Sequence, residues 1–226
     1  MKAIVIGASG GIGGALADAL DGRGDVVTRL SRRSDPPLDF YDEAGIAAAA
    51  DRLAAAGPYD LVIVATGLLH GNGVAPEKSL RAIDGTAFDR YFRVNATGPA
   101  LVMRHFLPLL ARDRRAVFAT LSARVGSIGD NRIGGWVGYR ASKAALNQIV
   151  RTLAIELART QPQAILVGLH PGTVDTGLSA PFQRGLAAGQ LITPADSAAH
   201  LIAVLDGLAA DDSGGCFDWA GQRIPA

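Results

Sequence analysis

Ala3-Ile4-Val5-Ile6-Gly7-Ala8-Ser9-Gly10-Gly11-Ile12-Gly13 decides the fold of this chain. Three β-branched residues in an unbroken apolar run read as a strand covered on both faces, and the glycines that follow end it abruptly. Beyond them Ala15, Leu16, Ala19 and Leu20 recur at helical spacing. The order is therefore strand, glycine turn, helix. Gly7, Gly11 and Gly13 allow a tight turn, close approach of the backbone to a pyrophosphate and close packing of helix on sheet, while the helix N-terminus supplies amide donors and a positive dipole end. Ser9 and Ile12 lie in the same turn, so Gly7, Ser9, Gly11, Ile12 and Gly13 are the candidate dinucleotide contacts. Three residues separate the first two glycines, where the usual G-x-G-x-x-G motif has one.

Outward from this unit, apolar runs recur at residues 26–30, 60–65, 116–121, 164–169 and 216–219, with helical patterns between them. Near-continuous apolar runs alternating with helices predict an α/β chain, a doubly wound parallel sheet in one domain covering all 226 residues. The alanine-rich stretch at 44–56 reads as a crossover helix, because alanine is the best helix former. Residues 176–193, with Pro181, Gly185 and Gly189, form the longest irregular piece outside the catalytic region, either a short substrate lid or a plain surface loop.

Composition narrows the function classes. Hydrophobic residues make up 49%, charged residues 19%, and the formal net charge is +1, which argues against a disordered tail or a nucleic-acid footprint and for a small-molecule partner. Cys216 stands alone, so neither a disulfide framework nor a clustered-thiolate metal site is available, and a reducing compartment fits. His70 and His170 lack a second ligand at helical or hairpin spacing, so no metal is expected. The first apolar run is too short for a secretory core and no stretch approaches a membrane span, giving a cytoplasmic expectation.

The cofactor's identity turns on the end of the second strand, where Ser31, Arg32 and Arg33 stand without a carboxylate; the nearest, Asp35, lies beyond the turn. Guanidiniums suit a 2′-phosphate, so NADP(H) is expected over NAD(H). Asp39 can accept from the adenine amino group or simply satisfy its own turn. At the end of the third apolar run, Ala65 and Gly67 are further candidate cofactor contacts.

Tyr139 and Lys143 sit four apart in a helical pattern, which places a phenol and an ammonium on one face. With Gly-Ala-Ser-Gly-Gly-Ile-Gly at 7–13, Val94-Asn95-Ala96, Tyr139 to Lys143 and Pro171-Gly172-Thr173-Val174-Asp175-Thr176, the chain resembles the short-chain dehydrogenase/reductase family over nearly its whole length. The segment Leu121-Ser122-Ala123-Arg124-Val125-Gly126-Ser127 and the compact C-terminus resemble its C-factor-like branch. The resemblance implies a single Rossmann domain with about seven strands and an NAD(P)-dependent oxidoreductase that interconverts a carbonyl and an alcohol. Tyr139 would be the general acid/base, Lys143 would depress its pKa and hold the nicotinamide ribose, and Asn95 would hold a relay water; a helix-interrupting asparagine bonded to backbone fits the same position. Pro171, Gly172, Val174 and Thr176 would hold the carboxamide. The resemblance further implies a homodimer or homotetramer through residues 99–110 and 144–157.

One position departs from the family pattern. Where the second of two serines would donate to the substrate oxygen, this chain has Ala123, so Ser122, one residue early, is taken as the donor with Ser127 as its alternative. Alternation along an extended chain would turn Ser122 to the opposite face. The rival reading is therefore an NADPH-binding signalling or regulatory protein of the same fold with little or no turnover. Arg124, Asn131, Arg132 and Trp136 either shape a substrate pocket or only fill a loop, and the loop is favoured for each.

Overall fold

The computed structural model describes residues 1–71, 73–187 and 189–226. In chain order its elements are β1 (Lys2–Ile6), α1 (Gly11–Gly22), β2 (Val26–Leu30), α2 (Glu43–Ala54), β3 (Leu61–Val64), α3 (Gly85–Phe92), α4 (Gly98–Phe106), β4 (Ala116–Leu121), α5 (Val137–Leu157), β5 (Ala164–His170), β6 (Thr173–Val174), β7 (Leu191–Ile192), α6 (Pro194–Gly207) and β8 (Cys216–Asp218).

Six strands form one parallel sheet in the order β2-β1-β3-β4-β5-β8. All six apolar runs of the sequence become its strands. The sheet is one strand short of the expected seven, because a single helix, α2, fills the crossover from β2 to β3. After β2 the chain returns over β1 and lays β3 on its other side, so strand order switches between β1 and β3, where Ile6 and Val64 are register partners. Open α/β sheets bind ligands at the carboxyl ends of strands beside such a switch.

Both faces are covered, which explains why the strands read as continuous apolar runs. Ile4, Ile6, Val62, Val64 and Phe118 pack with Met103, Phe106, Leu146 and Val150 of α4 and α5. The intervening Ala3, Val5, Ile63 and Val117 pack with Leu16, Leu20, Leu201 and Leu205 of α1 and α6. Each fully buried large side chain contributes roughly 1.5–3 kcal/mol.

Helix starts differ according to whether the site uses them. Asp42 caps α2 through the Gly45 amide, Asp84 caps α3 through Ala87, and Thr193 caps α6 through Asp196. α1 and α5 begin at Gly10 and Trp136 with no cap from those side chains. Between α3 and α4 the helix widens into a π-helical turn, Arg93–Thr97, which carries Asn95. Within residues 176–193, Ala188 lies outside the described residues; β6 pairs with β7 (Thr173 with Leu191, Val174 with Ile192), tying the segment's two ends. Among the described residues no helix is long and apolar enough to cross a membrane.

Candidate active site

The glycine turn is built by close approaches that no side chain could enter. Gly7 has φ +91°, and a Cβ there would come 2.7 Å from the Ala65 carbonyl oxygen; a Cβ on Gly13 would come 2.3 Å from the Gly7 oxygen. The Gly7 and Ala8 amides donate to the Leu30 carbonyl (2.8 and 3.1 Å), binding the turn to the end of β2. The uncapped first turn of α1 thus points its amide donors at the switch point, the chemistry an anionic pyrophosphate requires. Thr176 closes over it: a Cβ on Gly11 would lie 2.7 Å from Thr176 Cγ2. Ser197 of α6 donates to the Pro171 carbonyl (3.0 Å) and Gly172 takes φ +81°, so the chain from Pro171 through the buried Val174 reaches back to α1.

A cleft of about 670 Å³ runs from this turn across the ends of β2 and β3, lined among others by Gly7, Ser9, Ser31, Arg32, Asp39, Ala65 and Gly67. Arg33 is exposed, with its amide on the Ser31 hydroxyl at 3.1 Å. Asp35 is drawn away to Arg52 (2.5 and 2.9 Å), and Asp39 accepts the Tyr41 amide at 3.0 Å. The face beside the cleft is therefore basic at Arg32. Glycine cradle, uncapped helix end and basic rim together suit a phosphorylated dinucleotide.

At the chemical end, α5 presents Tyr139 one turn before Lys143. Asn95, fully buried in the π turn, accepts the Leu68 amide (2.8 Å) and donates to the Leu68 carbonyl (2.9 Å) and to Ser142 Oγ (3.0 Å). It thereby clamps the chain after β3 to α5. A Cβ on Gly67 would stand 3.8 Å from both Asn95 Oδ1 and Lys143 Nζ, so those two polar atoms converge on the glycine. Lys143 Nζ donates to the Leu121 carbonyl (2.7 Å) and lies 6.0 Å from the Tyr139 ring centroid.

Tyr139 is buried in a small cluster with Leu69, Val74, Tyr91 and Ala123. Trp136 stands edge-on to it (centroids 6.3 Å) and to Phe182 of the 176–193 segment (5.1 Å), while Tyr91 lies 6.2 Å away and donates to the Leu69 carbonyl at 2.8 Å. Burial, and secondarily Tyr91, push the Tyr139 phenol well above its ordinary range. Burial of Lys143 lowers its ammonium to about 8. Lys143 is engaged with the Leu121 carbonyl, and desolvation is the larger influence on the phenol. At neutral pH the Tyr139 phenol therefore keeps its proton.

The serine positions follow strand alternation past the end of β4. Leu121 faces the α1/α6 side, and Ser122 donates to Asn147 Oδ1 on α5 (2.6 Å) and partners Cys216. Ala123 turns toward Tyr139. Ser127 accepts the Asp130 amide at 3.1 Å. The structure therefore brings Tyr139, Lys143, Asn95 and Gly67 together, and gives Ser122 and Ser127 partners elsewhere. Trp136, for which the loop reading is favoured over the pocket, stands against Tyr139, and Phe182 was not legible as a site residue, since its place beside Trp136 depends on two loops meeting.

Residues 1–186 match the family model for short chain dehydrogenase, and the chain belongs to that family of nicotinamide-cofactor oxidoreductases. It is similar to C-signal of Myxococcus xanthus, 34% identical over 148 residues that cover 65% of this chain and 83% of that one. It is also similar to 1-hydroxy-2-glutathionyl-2-methyl-3-butene dehydrogenase of Rhodococcus sp. (strain AD45), 29% identical with 93% of each chain covered. Among solved structures, a short-chain dehydrogenase/reductase of Burkholderia multivorans with bound NADP superposes with a TM-score of 0.82 at 25% identity, covering 100% of this chain and 99% of that one.

Proposed function

We propose that this protein reduces a small, apolar, uncharged carbonyl compound with NADPH, or runs the reverse oxidation, with Tyr139 as the proton-transferring group. The observation that carries the reading is Tyr139 itself: a protonated phenol in an apolar cluster at the start of α5, one turn from Lys143 and linked through Ser142 to Asn95. The nicotinamide supplies the hydride. Tyr139 holds the proton at Oη until a carbonyl oxygen gains negative charge, then donates it. Lys143 Nζ and Asn95 Oδ1, converging on Gly67, would hold the ribose and a water leading protons to solvent. Pro171, Gly172, Val174 and Thr176 would position the carboxamide against α1.

Preference for NADPH rests on Arg32 at the cleft and on the diversion of Asp35 to Arg52; the bound NADP of the Burkholderia structure supports it. The substrate's apolar character follows from the walls around Tyr139, which are Ala123, Trp136, Leu178 and Phe182. Without a serine hydroxyl beside it, Tyr139 would polarise the carbonyl alone. That observation equally favours a second reading, an NADPH-binding regulatory protein with little turnover. A lone, half-buried cysteine accords with a cytoplasmic protein, and a homo-oligomer through α4 and α5 is part of the same proposal.

Purified protein, titrated with NADPH and NADH and then assayed against apolar ketones and aldehydes, tests both readings. Tighter NADPH binding and loss of cofactor absorbance support the reductase. Tight binding with no turnover supports the regulatory protein, and tighter NADH binding refutes the cofactor assignment.

A further inference from the structure

α5 carries both Tyr139 and Lys143, yet it starts in an unusual way. Its N-cap position holds Trp136 in the left-handed conformation (φ 53°, ψ 45°), where a serine, threonine or aspartate usually stands, and the indole gives the helix no cap. The missing cap comes from Glu77, 61 residues earlier in the chain. Glu77 is 2% exposed, and its carboxylate accepts the Gly138 amide with both oxygens, at 3.1 and 3.3 Å. Its own carbonyl accepts the Trp136 amide at 2.6 Å.

One residue thus takes the N-cap amide and the second amide of α5, on either side of Val137. Gly138 is glycine for the same reason: a Cβ there would lie 2.7 Å from Glu77 Oε1 and 2.7 Å from Tyr91 Cδ2. The residue after Gly138 is Tyr139, and the residue held through the Glu77 carbonyl is Trp136, whose ring stands on Tyr139. A carboxylate at a helix N-terminus is favourable, yet burying one is costly unless its acceptors are used, so the arrangement is a specific one.

We propose that Glu77 is a positioning residue for proton transfer: by capping α5 from outside the helix it fixes the direction of the Tyr139 phenol and seats Trp136 beside it. This rests on the reading of Tyr139 as the proton donor. The acceptor geometry is what matters, so an amide at the same length serves and a shorter acid does not.

The test compares Glu77→Ala, Glu77→Gln and Glu77→Asp with wild type, measuring kcat, KM for the carbonyl substrate and the NADPH dissociation constant, with Tyr139→Phe as the control for the underlying reading. Displacing a reacting group by about an ångström costs up to ~100-fold in rate, so Glu77→Ala is expected to lower kcat roughly 10- to 100-fold with NADPH affinity unchanged. Glu77→Gln is expected to restore most of that rate and Glu77→Asp to restore little. If alanine prevents folding, the Gln and Asp pair carries the same contrast. Wild-type kcat in Glu77→Ala, or Asp performing well where Gln fails, overturns the proposal while leaving Tyr139 intact; an active Tyr139→Phe overturns the reading beneath it.

Discussion

Ala123 faces Tyr139 where the family pattern has a hydroxyl, and that single missing oxygen sets the expected pace of the reaction. A donor to a developing oxyanion is worth about 10²- to 10³-fold. Ala123→Ser should therefore raise kcat by roughly 10- to 100-fold in a carbonyl reduction assay; an unchanged rate means that the site does not need the donor. Trp136→Ala removes an aromatic contact worth ~0.5–1.5 kcal/mol, so KM for an apolar ketone should rise about 2- to 10-fold with kcat less affected. The pH profile follows from burial. With the Tyr139 pKa raised, the protonated donor persists through neutrality, so reduction should hold steady there and fall only in alkaline solution, whereas alcohol oxidation, which needs the phenolate, should rise with pH. Tyr139 and Lys143 were legible in the sequence because four-residue spacing on a helix is a local relation. The direction of Ser122 and Ala123 was open, since it depends on whether extended alternation outlasts β4; it does, and Ser122 goes to Asn147. Glu77 gave no local sign of its role, its partner lying 61 residues away.

At the scale of elements, the glycine turn and α1 act as one unit. Gly13→Ala would drive a methyl to 2.3 Å from the Gly7 oxygen, so turn and helix must separate. NADPH affinity should fall at least ~10-fold, about 1.4 kcal/mol, in a fluorescence titration; retained affinity would detach the turn from cofactor binding. Six main-sheet strands could be read in advance because burial on both faces writes itself as an unbroken apolar run. The two-residue strands β6 and β7 could not, because so short a pairing leaves no periodicity. Nor could the π-helical turn that aims Asn95, whose widening is set by what the asparagine bonds, Leu68 and Ser142.

For the molecule as a whole, acid stability should depend on His170 at the end of β5. Burial lowers its folded pKa to about 4, and among the described residues its Nδ1 has no hydrogen-bond partner. Unfolded histidine, near 6.5, binds the proton first, so stability is lost as pH falls from about 6.5 toward 4. His170→Gln should flatten that part of the profile in urea titrations at successive pH values; an identical slope would assign the acid sensitivity to other groups.

The central claim is that a sheet which gathers a glycine cradle, Lys143 and Asn95 does so around a proton donor, Tyr139. It is tested most directly by following NADPH absorbance with an apolar ketone at saturating cofactor, in wild type and in Tyr139→Phe. Equal NADPH affinity and a rate reduced at least ~10²-fold are expected in the variant. A Tyr139→Phe protein that turns over at the wild-type rate would contradict it.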